Sequence, residues 1–299
     1  MMSVPRITMS ADGPEFSRLA QGFGSAARWN KDARQVLEHV IACVDLGITT
    51  MDNAAIYGGG LSETLLGKAL ALAPGLRERL EIVTKCAIGQ WDTSLYHYDT
   101  SRAHILWSVD ESLRRLHTDR VDLLLIHRPD PLMDADEVAE AFVALRDTGK
   151  VLHFGVSNFT RSQFDLLSSR LPFPLVTNEI QFSVLHLDTW HDGTLDLCQE
   201  RRISPMAWGP LGGGRLLSDK DERVTRVRAE LEAVGAELGG AAVDQVALAW
   251  LLRHPSRIVP ILGTGKIERV QSATGAFDLT LTREHYFRIW TASTGERLP

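Results

Sequence analysis

Short runs of β-branched and aliphatic residues alternate with longer amphipathic stretches from one end of this chain to the other, and that alternation limits its folds more than any other feature. Residues 48–51, 80–84, 121–126, 151–156, 176–180, 203–207 and 258–262 read as strands, with a weaker first one over 17–21. Continuous apolar runs of this length suit parallel strands covered on both faces. Between them, Asn30 is placed to cap a helix whose stripe is Val36, Leu37, Val40, Ile41 and Val44, with Gly47 just past its end. Leu106, Val109, Leu113 and Leu116 repeat at helical spacing, as do Val138, Phe142 and Leu145 before Gly149. Thr160 is set to cap a helix through Phe164 and Leu167, and residues 224–238, 243–252 and those from Ile267 onward continue the pattern. The sum is about eight βα units. An open doubly wound sheet satisfies the alternation too. The length of 299 residues, without a break in composition, favours a closed (β/α)8 TIM barrel, with residues 1–299 as one domain.

Composition narrows the function. With 32 basic and 38 acidic residues the net charge is −6, which offers no electrostatic footprint for nucleic acid or an anionic membrane. The cysteines Cys43, Cys86 and Cys198 are odd in number and widely spaced, so neither a disulfide framework nor a thiolate metal site is expected. The N-terminus lacks the apolar core of a signal peptide, and no apolar run is long enough to span a bilayer, so a cytoplasmic location is expected.

In such a barrel, chemistry gathers at the C-terminal ends of the strands. Asp52 closes Thr49-Thr50-Met51-Asp52, with Tyr57-Gly58 one loop later; Lys85 ends Ile82-Val83-Thr84-Lys85; His127 ends Leu123-Leu124-Leu125-Ile126-His127. A tyrosine titrates near ~10, and a neighbouring ammonium favours its phenolate and lowers that value. Asp52 would hold Lys85 charged, and His127 would orient a carbonyl beside Tyr57. Such a set can protonate an oxygen while something else delivers a hydride. Each residue alone has an ordinary structural explanation; their convergence on one mouth carries the reading.

The sequence resembles the aldo-keto reductases, and among them the bacterial cytoplasmic oxidoreductases of unassigned substrate. The resemblance rests on Met51-Asp52-Asn53-Ala54-Ala55-Ile56-Tyr57-Gly58, on Glu63 and Gly67, on Val83-Thr84-Lys85, and on Asp122-Leu123-Leu124-Leu125-Ile126-His127-Arg128-Pro129. It continues through Gly155-Val156-Ser157-Asn158-Phe159, Asn178-Glu179-Ile180-Gln181, Ala207-Trp208-Gly209-Pro210-Leu211-Gly212 and Ile261-Leu262-Gly263-Thr264-Gly265-Lys266. It implies an NADPH-dependent carbonyl reductase on a TIM barrel, with Asp52, Tyr57, Lys85 and His127 as the catalytic tetrad. Ser157, Asn158 and Gln181 match residues that hold the nicotinamide carboxamide, and Trp208 the ring that stacks on it. Gly209, Pro210, Leu211 and Gly212 match the pyrophosphate loop, where glycines admit close backbone approach. Gly263, Thr264, Lys266 and Arg269 match the adenosine 2′-phosphate region. Three segments depart from the family pattern: a lysine is common where Gly263 stands, an acidic residue and Asn where Ser272 and Ala273 stand, and a small hydroxyl with tryptophan around Gly22-Phe23-Gly24. The resemblance further implies a small carbonyl substrate, a monomer, and chemistry without a metal.

Other patterns compete less well. Gly22 to Ala27 matches a loose dinucleotide fingerprint but lacks the preceding buried strand and the prompt helix. Ser157 opens like a nucleophile elbow, but Phe159 replaces the final glycine. Trp29 and Trp91 are candidates for a substrate wall, and Cys86 reads as packing. Two further functions stay open: a non-catalytic NADPH-binding redox-sensing or regulatory subunit, and a lyase or isomerase forming a Schiff base on Lys85. The intact tetrad argues against the first, and residues 263–269 with Trp208 against the second.

Overall fold

The structure, a computed structural model, describes residues 3–90 and 95–297. Twelve strands occur among them: β1 (Arg6–Thr8), β2 (Glu15–Ser17), β3 (Ala20–Gly22), β4 (Thr50–Asp52), β5 (Glu81–Cys86), β6 (Ile88–Gln90), β7 (Tyr96–Tyr98), β8 (Val121–Ile126), β9 (Val151–Ser157), β10 (Asn178–Gln181), β11 (Met206–Trp208) and β12 (Val259–Leu262). β3, β4, β5, β8, β9, β10, β11 and β12 form a closed, all-parallel barrel in that order, with β12 pairing back onto β3. Helices between the strands cover the outside, as the alternation in sequence predicts.

Side-chain parity decides what fills the barrel. Along β5, Ile82 joins the core under the helices, whereas Val83 joins the core inside the barrel. Along β8, Leu124 and Ile126 point outward while Leu123 and Leu125 point inward. Because side chains alternate along a strand, Lys85 and His127 carry the inward parity to the open end. The antiparallel β1–β2 hairpin seals the other end, where Ile7, Met9 and Phe16 are buried against the inward set. That hairpin has no counterpart in the sequence reading.

Several expected elements shift. β4, β10 and β11 lie later in the chain than the runs 48–51, 176–180 and 203–207. Ile48, Val176 and Ile203 are buried but precede the strands, so the apolar runs mark burial rather than ladder pairing. The shift brings Asp52, Gln181 and Trp208 into the strands themselves. The weak first strand moves to β3, since Ser17 belongs to β2 and its Oγ accepts the Thr50 N–H at 3.0 Å. Asn30 does not cap the first helix. It adopts φ 52°, and Asp32 caps the helix Ala33–Asp45 in a box with Gln35. Thr160 caps Arg161–Ser168 as expected, and Gly47, at φ 85°, follows the first helix in the left-handed conformation that glycine tolerates. With the α-helix beginning only at Ala33, the dinucleotide fingerprint at 22–27 opens on a single 3-10 turn, Ala26–Arg28, rather than on an α-helix.

Gly67 lies within the helix Leu61–Ala71, buried against the end of the helix Arg102–Leu116. A Cβ there would overlap the Arg115 carbonyl oxygen and main-chain atoms of Leu116. Alanine normally improves a helix interior by about 0.5–1 kcal/mol. Here Gly67→Ala is expected to destabilise the fold by about 1–3 kcal/mol instead, read as a lowered midpoint in chemical or thermal unfolding; an unchanged or raised midpoint would show that the two helices separate freely.

Candidate active site

The inward parity of β4, β5 and β8 brings the expected tetrad together. The Lys85 ammonium lies 2.5 Å from Asp52 Oδ1, donates to the Asn53 carbonyl at 2.9 Å and reaches Tyr57 Oη at 3.4 Å. The rings of Tyr57 and His127 meet edge to face at 5.6 Å between centroids. Asp52, Lys85 and His127 are all buried.

Tyr57 is placed by its loop. Asn53 N–H donates to the Val83 carbonyl and Ala55 N–H to that of Lys85, which lashes the loop to β5. The chain then turns through Gly58, Gly59 and Gly60, all at positive φ. Behind it, Glu63 is fully buried and accepts from Thr84 Oγ1 and from Arg115 Nη1, each at 2.6 Å. Thus Glu63, quoted above only as part of the resemblance, anchors the Tyr57 loop to the strand that carries Lys85. Gly24 leaves the Tyr57 ring uncovered on one side, where a Cβ would sit 3.6 Å from it.

A fifth ionisable group shares the site. Glu179, on β10, places Oε2 3.2 Å from the Lys85 ammonium and is as buried as Asp52. Its signal in the sequence was a carboxylate inside a strand, at the same parity as Gln181 and opposite to the outward Ile180. Burial opposes the Lys85 charge, but Asp52, Glu179 and Tyr57 more than offset it and hold the ammonium charged. Burial raises Asp52, and Lys85 only partly restrains it. Burial and the charge of Asp52 push Glu179 up to about 8 against the pull of Lys85. The expectation for Tyr57 is reversed. Lys85 does pull its titration down, but burial, Asp52 and Glu179 push harder, so the phenol stays protonated well above its ordinary range. His127 is driven down to about 2 by burial, Lys85 and Arg128, so the imidazole is neutral.

The residues expected at the coenzyme fall on the other arc of the mouth, β9 to β12. Ser157 Oγ donates to the Glu179 carbonyl at 3.1 Å and accepts from Asn158 Nδ2 at 2.7 Å, so it is no free nucleophile. Trp208 Nε1 donates to Asn158 Oδ1 at 3.0 Å, and Arg128 lies over the indole at 5.5 Å. Gln181 pairs in register with Trp208 at the rim and is half-buried. Gly209 and Gly212 have φ of 64° and 61° around Pro210 and Leu211. Gly263, Lys266 and Arg269 are exposed, while Thr264 is half-buried and its Oγ1 accepts the Lys266 N–H at 3.2 Å. No described residue forms an ion pair with Lys266 or Arg269. A flat indole pinned by its N–H, an open glycine loop and two uncommitted cations suit a dinucleotide carrying a phosphate. Trp29 does not stand free as a substrate wall; it packs on Phe23 and Gly265. Trp91 lies outside the described residues. All three cysteines are buried with thiols pushed up to about 12, which leaves Cys86 a packing residue.

This barrel with its strand-end tetrad is that of an oxidoreductase. Residues 19–293 match the Aldo/keto reductase family, and the chain belongs to it. It is 52% identical to the oxidoreductase YdhF of Escherichia coli K12, covering 99% of this chain and 100% of that one. It is 47% identical to a 6-dehydroglucose reductase of Agrobacterium fabrum over 98% and 99% of the two chains. The solved aldo-keto reductase Tm1743 superposes with a TM-score of 0.81 at 30% identity, covering 96% of this chain and 99% of the other.

The state of Glu179 should show in stability. Unfolded, a glutamate ionises near ~4.3; folded, Glu179 keeps its proton up to about 8. Between those values Glu179 therefore holds one more proton in the folded chain than in the unfolded one. The contribution is full below the unfolded value and is lost as pH rises through the folded one. Glu179→Gln, similar in shape but unable to ionise, is expected to raise the unfolding midpoint relative to wild type more at pH 8.5 than at pH 5. A difference that is flat with pH would place the Glu179 titration elsewhere.

Proposed function

We propose that the protein reduces an aldehyde or ketone to an alcohol with NADPH as hydride source and Tyr57 as proton donor. The observation that carries this reading is a protonated phenol 3.4 Å from a buried ammonium, beside a neutral imidazole, at the open end of the barrel. Ser157, Asn158 and Gln181 would hold the carboxamide, Trp208 the ring, Gly209 to Gly212 the pyrophosphate, and Gly263, Thr264, Lys266 and Arg269 the 2′-phosphate. When bound, NADPH supplies a hydride to the carbonyl carbon.

The chain's own residues govern the proton. His127, neutral and unable to compete as an acid, hydrogen-bonds the substrate oxygen and sets its angle. As negative charge grows on that oxygen, its basicity overtakes that of the phenolate and it takes the Tyr57 proton. The phenolate left behind faces Lys85, a cation in contact with it, so Lys85 stabilises the product side of the transfer. Asp52 keeps Lys85 charged and in place throughout. For the substrate class, the Agrobacterium relative's name directs the choice to a carbonyl-bearing sugar.

Tyr57→Phe is expected to lower kcat for NADPH oxidation by about 10²–10⁴-fold, with coenzyme affinity, followed by quenching of tryptophan fluorescence, largely kept. A panel of a sugar aldehyde, methylglyoxal and nitrobenzaldehyde ranks the substrates. Parallel loss of binding and turnover would make Tyr57 a structural residue. Tight binding by wild type without turnover of any carbonyl would favour the sensing role.

A further inference from the structure

Asp52 and Glu179 approach Lys85 from β4 and β10, which are four places apart around the closed ring of strands and so face each other across the barrel. Both carboxyl groups and the ammonium are almost wholly buried, with side-chain exposures of 4%, 3% and 0%. The other titratable groups facing them are Tyr57, from the loop after β4, and His127, from the end of β8, both neutral. In register with Glu179, β9 and β11 contribute Ser157 and Met206, which carry no charge. With both carboxyls ionised the cluster would hold a net negative charge in a space closed to water; with one proton retained it is neutral. Asp52 has the closer contact, 2.5 Å against 3.2 Å, and Glu179 Oε2 makes no well-aligned hydrogen bond. The retained proton therefore belongs on Glu179.

The same residue is tied to the coenzyme arc. Its main-chain carbonyl accepts from Ser157 Oγ at 3.1 Å and from Asn158 N–H at 2.8 Å, the two residues assigned above to the carboxamide. A nicotinamide ring is cationic when oxidised and neutral when reduced. We propose that Glu179 reads this difference, releasing its proton to solvent when the oxidised coenzyme binds and keeping it when the reduced coenzyme binds. The carboxyl O–H bond breaks, its electron pair stays on the carboxylate, and the proton passes to buffer; nothing is oxidised or reduced. Glu179 thus acts as an electrostatic positioning residue, balancing the site's charge for each coenzyme form. This rests on the coenzyme reading of the preceding subsection.

Isothermal titration calorimetry of the wild-type protein at pH 7, with NADP+ and separately NADPH, in phosphate and in Tris, tests it. The two buffers differ in ionisation heat, so their difference counts protons released. On the order of one more proton is expected to leave with NADP+ than with NADPH, by mass action on a group titrating near 8. The 2′-phosphate, common to both forms, cancels in the comparison. Glu179→Gln is expected to bind both forms and to abolish the difference. Equal proton counts for the two coenzymes in wild type, or an undiminished difference in Glu179→Gln, would overturn the role of Glu179. The wild-type comparison stands even if that variant folds poorly. Failure of wild type to bind either coenzyme would instead overturn the coenzyme reading.

Discussion

A single buried cation, the Lys85 ammonium, is the constraint from which the rest of the site follows. An ammonium with no solvent exposure is untenable without opposite charge. The opposite charge comes from two strands on facing sides of the ring, Asp52 on β4 and Glu179 on β10. The first contact lies between neighbouring strands, β4 and β5, whereas the second brings together strands that are not neighbours and depends on the closed ring. The hairpin beneath buries Phe16 and Met9 against the inward set, and the cluster of buried charges gathers at the open end. Burial then does chemical work: it keeps Tyr57 a phenol and His127 a free base, and leaves Lys85 the charge that both of them meet.

Much of this was legible in the order of residues. The ends of the strand runs led to Asp52, Lys85 and His127, because parity along a strand is fixed by the pleat and needs no knowledge of neighbours. Thr160 and Gly47 were legible because caps are local. What escaped depends on distant parts of the chain. Glu179 looked like one polar residue in a strand, and its meaning comes from Lys85, far away in sequence. The sign of the Tyr57 shift was missed for the same reason: an ammonium beside a phenol is a pairwise thought, whereas burial and two carboxylates belong to the whole mouth. The β1–β2 hairpin was invisible because three-residue strands carry too little periodicity. Asn30 failed as a cap because Asp32, two residues on, has Gln35 to complete a box.

The mouth divides into two arcs with different engineering. On the arc of β4, β5 and β8, groups are held by ionic and charge-assisted contacts, including the buried Glu63–Arg115 pair behind the Tyr57 loop. On the arc of β9 to β12, the devices are the Ser157–Asn158–Trp208 chain of hydrogen bonds and glycines at positive φ, with the exposed cations Lys266 and Arg269 at its far end. Rigid charge suits a step in which a proton must move over a short distance. Main-chain amides in an open loop suit a large ligand that must enter and leave. Glu179 belongs to both arcs, through its carboxyl to the first and its carbonyl to the second.

The seam between β12 and β3 joins the two ends of the chain. Gln21 donates to the carbonyls of Leu262 and Thr264, Ser25 Oγ to that of Gly263 at 2.7 Å, and Trp29 closes over Gly265 while donating to Ser25. The 263–266 segment therefore takes its shape from residues made well before it during synthesis. On the ribosome, β3 must wait, one edge unpaired, until β12 emerges. A chain stopped short of β12 would leave β3 and β11 as free edges, surfaces on which other unfinished chains can pair.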